Sequence, residues 1–231
     1  MPLDFNSFLP HELISIGGVA LLLWVIGGVI FNLYRWRDVV GSYSNGTSKA
    51  SRSSSFIGAL SKTISQDVLI QRDILNCNLQ RWFSHFSTFW GFILLGVSTT
   101  LNYLMNPKAL PLAIAHPVRI IGNIGGLLFI AGLTVMIYRR LASESVRRNS
   151  TFGDNFFIAL LYVVGASGFL TEIFSDLGLF SITSAVYWVH MLSIVALIAT
   201  APFTKFIHAL GRPLLHLLDN YDETRTDRHE P

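Results

Sequence analysis

The stretch YWVHMLSIVALIATAPFTKFIHAL, Tyr187–Leu210, meets its first formal charge only at Lys205. A bilayer core about 30 Å thick needs roughly 20 mostly apolar residues wound as a helix. Ala185–Thr204 supplies them, with a histidine but no Lys, Arg, Asp or Glu. His190 and His208 stand eighteen residues apart. At 3.6 residues per turn and 1.5 Å per residue, they share one helix face and lie about 27 Å apart along its axis. One therefore belongs near each membrane surface. Ionisable groups are costly in lipid, so this placement points to function.

Four more runs read the same way. Leu13–Tyr34, Ile120–Tyr138 and Phe156–Thr171 contain no charge, and Trp82–Leu104 contains only a histidine. Lipid leaves a spanning segment no partner for its backbone except itself, so each run is expected to be helical. The composition agrees. Of 231 residues, 51% are hydrophobic and 13% charged, with a mean hydropathy of +0.49. A soluble domain carries about 25% charged residues. The expected fold is all-α: an integral membrane bundle of five transmembrane helices, with spans near 13–34, 82–104, 117–138, 156–177 and 184–206. The first run reads as a retained span, not a cleaved signal, because it lacks a basic leader and is too long.

Lys and Arg set the direction. Arg35, Arg37, Lys49, Arg52, Lys62, Arg72 and Arg81 precede the second span; Arg139, Arg140, Arg147 and Arg148 follow the third; Lys205, Arg212, Arg225 and Arg228 follow the fifth. Only Lys108 and Arg119 fall on the other side. The positive-inside rule then places the amino terminus outside and the carboxyl terminus in the cytoplasm. The sequence pI of about 9.2 follows from this topology and requires no nucleic acid. Residues 1–212 read as one membrane domain and 213–231 as a polar cytoplasmic tail. Within the cytoplasmic segment 35–81, Gly41–Ser55 reads as a mobile linker and 62–80 as an amphipathic helix, either on the inner surface or simply in a loop.

This topology sorts four histidines by depth. His85 opens the second span at the inner side, level with His208; His116 precedes the third at the outer side, level with His190. Two bis-histidine sites stacked across a helical bundle match the needs of two b-type haems, with His85 and His208 holding the inner and His116 and His190 the outer. His11 is an alternative to His116, and His216 to His208. Arg81 and Arg119 lie beside the histidines and suit haem propionates or lipid headgroups. Gly91, Gly96, Gly122, Gly125, Gly126 and Gly132 either admit a flat ring or pack helices, Gly122 and Gly126 having GxxxG spacing. Trp82, Phe86, Phe89, Trp90 and Phe92 either wall a haem or face lipid. A lone cysteine, Cys77, excludes a cluster held by this chain's cysteines alone.

The fifth run carries His190, then Pro202-Phe203-Thr204-Lys205, then His208. In this it resembles the last span of the respiratory nitrate reductase gamma-subunit family. RWFSHFSTFWGF (Arg81–Phe92) and HPVRIIGNIGG (His116–Gly126) look nearer the branch that holds the membrane subunit of heterodisulfide reductase and related sulfur and hydrogenase complexes. The resemblance runs from about residue 12 to 212. It implies a dihaem cytochrome b subunit of a respiratory oxidoreductase in the cytoplasmic (inner) membrane. Such a subunit exchanges electrons with a quinone and passes them to or from a cytoplasmic iron–sulfur subunit; it is not an enzyme alone. The nitrate reductase branch has a second histidine further along its second span, where this chain has Leu95. His116 or His11 must then complete the outer site, or that haem is missing. Quinone chemistry also needs a proton acceptor, for which Glu172 is the first candidate, ahead of Asp176 and Lys108. The competing reading is a non-redox membrane anchor or small transporter. The inverted repeats expected of a transporter are not evident.

Overall fold

The computed structural model describes residues 11–45, 52–106, 112–204 and 211–217. Among them there are helices and no strands. The principal helices are α1 (His11–Asn45), α2 (Arg52–Lys62), α3 (Arg72–Cys77), α4 (Leu79–Met105), α5 (Pro117–Ala142), α6 (Glu144–Arg148), α7 (Phe152–Asp176) and α8 (Phe180–Thr200). Among the described residues, five segments are long and apolar enough to cross a bilayer: Ser15–Arg37, Leu79–Met105, Pro117–Ala142, Phe152–Asp176 and Phe180–Phe203. The described residues are those of an all-helical, multi-pass membrane protein.

The chain divides into two compact units, Met1–Leu23 with Gln80–Thr200, and Trp24–Leu79 with Ala201–Pro231. In the first, the surface is apolar and much of the interior is small or polar. Leu127, Val189 and Leu192 are exposed, whereas Ser84, Ser87 and Thr183 are at most 1% exposed. That inversion suits lipid, where apolar faces need no covering and close backbone approach supplies the packing.

Glycine determines how α4 meets α5. A Cβ at Gly91 would lie 2.5 Å from Phe129 N and 2.6 Å from Gly125 O; one at Gly132 would lie 2.7 Å from Ser84 O. Gly122 faces Ser98, whose hydroxyl donates to Val118 O at 2.8 Å. Gly126 instead meets the Phe169 ring on α7. The GxxxG pair therefore serves two interfaces, and the α4 seam follows Gly122, Gly125 and Gly132.

Local sequence also fixes the ends of α7. Thr151 and Asp154 cap its start reciprocally: Thr151 N donates to Asp154 Oδ2 at 3.0 Å, and Asp154 N to Thr151 Oγ1 at 3.3 Å. At the other end, Gly178 adopts φ +70°, with Leu179 N donating to Phe174 O and Gly178 N to Ser175 O. This is a Schellman turn, which a residue with a Cβ adopts less readily. Its tightness makes α7 and α8 neighbours along their length.

In the second unit, segment 62–80 is not one helix. A π-helical run, Thr63–Ile70, ends at Gln71, which has φ 58°, and α3 follows. Residues 41–45 and 52–55 of the expected linker are helical. The chain after α8 tightens into a 3-10 turn, Ala201–Phe203, because Pro202 has no N–H to continue the ladder. The Pro202 ring occupies the space a Cβ would need at Gly28, and Asn32 Nδ2 donates to Pro202 O at 3.0 Å and Gly28 O at 2.8 Å.

Candidate functional site

His190 sits halfway along α8 and is held by α7. Its Nδ1 lies 3.0 Å from Val164 O and 3.1 Å from Ser167 Oγ. A carbonyl only accepts, so Nδ1 carries the proton and donates. The Ser167 hydroxyl donates to Val163 O at 2.6 Å, which leaves its lone pair for the imidazole. Gly168 lets the ring lie against α7, since a Cβ there would be 3.1 Å from His190 Cε1. Nε2 makes no hydrogen bond among the described residues. An imidazole with Nδ1–H on a backbone carbonyl and a free Nε2 lone pair has the donor arrangement of a metal-ligating histidine. The residues present therefore fit a haem ligand at this position.

His116 is held differently. It caps α5 ahead of Pro117, and its Nδ1 accepts from Val118 N at 3.3 Å. Acceptance at Nδ1 puts the neutral ring's proton on Nε2, the opposite tautomer from His190. Ligation through Nε2 would require His116 to give up this cap.

Arg119, one turn into α5, is 10% exposed and reaches three groups. Its Nε donates to Glu172 Oε1 at 2.5 Å, its Nη1 to Leu112 O at 2.7 Å, and its Nη2 to Asp176 Oδ2. Asn123 Nδ2 also donates to Glu172 Oε1, at 3.0 Å. Two expected site residues, Arg119 and Glu172, are thus brought together across α5 and α7. Of five guanidinium protons, three are committed within the chain. Glu172 Oε2 makes no hydrogen bond among the described residues, and the side chain is 31% exposed.

His85 is half-buried and Arg81 exposed on α4, and both have partners. His208, Lys108 and Lys205 lie outside the described residues. His216 sits with Nδ1 3.7 Å from Asp73 Oδ2 in the second unit. Trp82 stacks on Phe86, with centroids 4.7 Å apart, and Phe86 leads on to Trp90 along one side of α4. Sequence reasoning missed Ser167, Gly168 and Asn123. The small-residue run Gly165-Ala166-Ser167-Gly168 was the available signal for the first two, because such runs mark close helix approach.

Comparison with known proteins bears on this arrangement. Residues 104–180 match the nitrate reductase gamma subunit family, a stretch that includes His116, Arg119, Ser167 and Glu172. The chain is 28% identical over 172 residues to one subunit of the dihydromethanophenazine:CoB–CoM heterodisulfide reductase of Methanosarcina acetivorans, a match covering 68% of this chain and 65% of that one. The corresponding protein of Methanosarcina mazei is 27% identical, covering 68% and 66%. That of Methanosarcina thermophila is 25% identical over 92% of both chains. The chain thus spans just under two thirds of the first two relatives. No solved structure matches significantly. The chain is similar to the nitrate reductase gamma-subunit family and, within it, to the heterodisulfide reductase branch. Those relatives are named as subunits of a heterodisulfide reductase.

Proposed function

We propose that this protein is the haem b membrane subunit of a respiratory oxidoreductase, moving electrons between a quinone-like carrier in the bilayer and an iron–sulfur subunit at the cytoplasmic face. The observation that carries the reading is His190, whose Nδ1 is committed to α7 and whose Nε2 is left for iron. The relatives' name couples a dihydro carrier to a disulfide, which supports electron transfer over an anchor or transporter role. When bound, haem would supply one-electron redox chemistry.

The chain's own residues would do the rest. His190, with His116 once it leaves its cap or with His11, would hold the outer haem, and His85 with His208 the inner one. The inner pair and the topology, with the amino terminus outside and the carboxyl terminus in the cytoplasm, rest on sequence. The two uncommitted guanidinium protons of Arg119 would serve a propionate, as would Arg81. Arg119 and Asn123 hold Glu172 by Oε1, leaving Oε2 to accept a proton at a quinone pocket near the outer end of α7. Residues 1–212 would form the membrane domain, and the basic segment 35–81 with the tail 213–231 would meet the iron–sulfur subunit, whose clusters this chain lacks the cysteines to hold.

The test is a reduced-minus-oxidised spectrum of protein purified from haem-replete native membranes, with haem quantified per chain. Two non-covalent b-type haems are expected, and His190→Ala should remove one. Colourless protein would sink the proposal. Glu172→Gln should slow reduction by a quinol analogue while retaining haem; unchanged kinetics would remove Glu172 from the pathway.

A further inference from the structure

We infer that Val164, Ser167 and Gly168 of α7 form a positioning collar that sets the tautomer and electron donation of His190; the haem-directed half of this inference rests on the proposed function. A neutral imidazole can carry its proton on either nitrogen. Three features of α7 remove that choice. Val164 O, 3.0 Å from Nδ1, can only accept. The Ser167 oxygen, 3.1 Å away, is also turned to accept, because its proton is directed to Val163 O at 2.6 Å. Gly168 admits the ring to this position, where a Cβ would lie 3.1 Å from Cε1 and 3.6 Å from Nδ1. Ser167 is 5% exposed, so water does not compete freely for these bonds.

The consequence is directional. Two acceptors on Nδ1–H push electron density into the ring and make Nε2 the more basic ligand. A more basic ligand favours the oxidised metal. Loss of the Ser167 oxygen should therefore favour the reduced metal. Val164 O remains in Ser167→Ala, so the tautomer should persist while donation weakens. The expected change is about threefold in the one-electron reduction equilibrium, or roughly 30 mV upward at 59 mV per tenfold.

Two measurements on the full-length chain in lipid nanodiscs separate this inference from the haem proposal. Nitrogen-15 histidine spectra of a haem-depleted sample, with His190 assigned by difference against His190→Gln, should show an Nδ1–H tautomer. An Nε2–H tautomer would overturn the inference whatever the haem content. If the wild type binds no haem yet shows Nδ1–H, the proposed function fails and the tautomer-setting role stands. In haem-loaded protein, Ser167→Ala should raise one midpoint potential, and Ser167→Thr, which keeps the hydroxyl, should restore it. Gly168→Ala should shift the low-spin g-values of the same haem as the ring is pushed off α7. Wild-type potentials and g-values in both alanine variants would refute the collar. Ser167→Ala only removes an atom, so a folding failure confined to Gly168→Ala leaves the test decisive.

Discussion

Gly91→Ala tests how α4 and α5 are held together. The new methyl carbon would start 2.5 Å from Phe129 N, 2.6 Å from Gly125 O and 2.8 Å from Phe129 Cα, all of them backbone atoms. No rotamer can relieve that contact. Ordinary non-bonded separations begin near 3.5 Å, so the helices must part locally by about 1 Å. A gap of that size forfeits a quarter to a half of the dispersion attraction along the seam. With overpacking strain, the expected loss is about 1–3 kcal/mol. Gly96→Ala is the matched control, since nothing lies within 4 Å of its Cβ position. There alanine should be neutral or stabilising by up to about 1 kcal/mol through helix propensity. Denaturant unfolding in a fixed lipid–detergent mixture reads both. Equal stability of the two variants would refute the close-packed seam. Haem loss at full apoprotein stability in Gly91→Ala would instead support the reading of these glycines as a haem cradle.

Three further outcomes follow from other contacts. A double-mutant cycle between Arg119→Gln and Glu172→Gln should show coupling of about 1–2 kcal/mol, as expected for residues in one network; additive losses would mean that the ion pair does not bind α5 to α7. Asn32→Ala removes the donor shared by Pro202 O and Gly28 O and should lower unfolding stability by about 1 kcal/mol, with wild-type stability counting against that bond. Cys77, the sole cysteine, is exposed, so a membrane-impermeant maleimide should label inverted vesicles and spare intact cells; the reverse pattern would invert the proposed topology.

The five spans were legible in the sequence because lipid imposes a one-dimensional rule. Each segment must satisfy its own backbone and carry apolar side chains for about 20 residues, whatever its neighbours do. Leu13–Tyr34 could be read that way even though none of its most apolar window is buried by protein. His190 stood out for the same reason, as an imidazole in a run without formal charge. Pairings between helices follow no such local rule. Gly122 and Gly126 look equivalent along the chain, yet one meets Ser98 and the other Phe169, because which face a glycine presents depends on how its helix is rotated among its neighbours.

The same distinction governs the chemistry of the site. Sequence alone marked Arg119 and Glu172 as separate site residues, fifty-three positions apart. Tertiary structure joined them, when antiparallel packing brought the start of α5 to the end of α7. Sequence alone paired His116 with His190 on one haem, with His11 as the alternative to His116. Structure made them opposites, because a helix N-terminus offers an N–H to Nδ1 of one, and a neighbouring helix offers a carbonyl and a hydroxyl oxygen to Nδ1 of the other. A protonation pattern is a property of the atoms surrounding a ring, and those atoms come from residues the chain order does not place beside it.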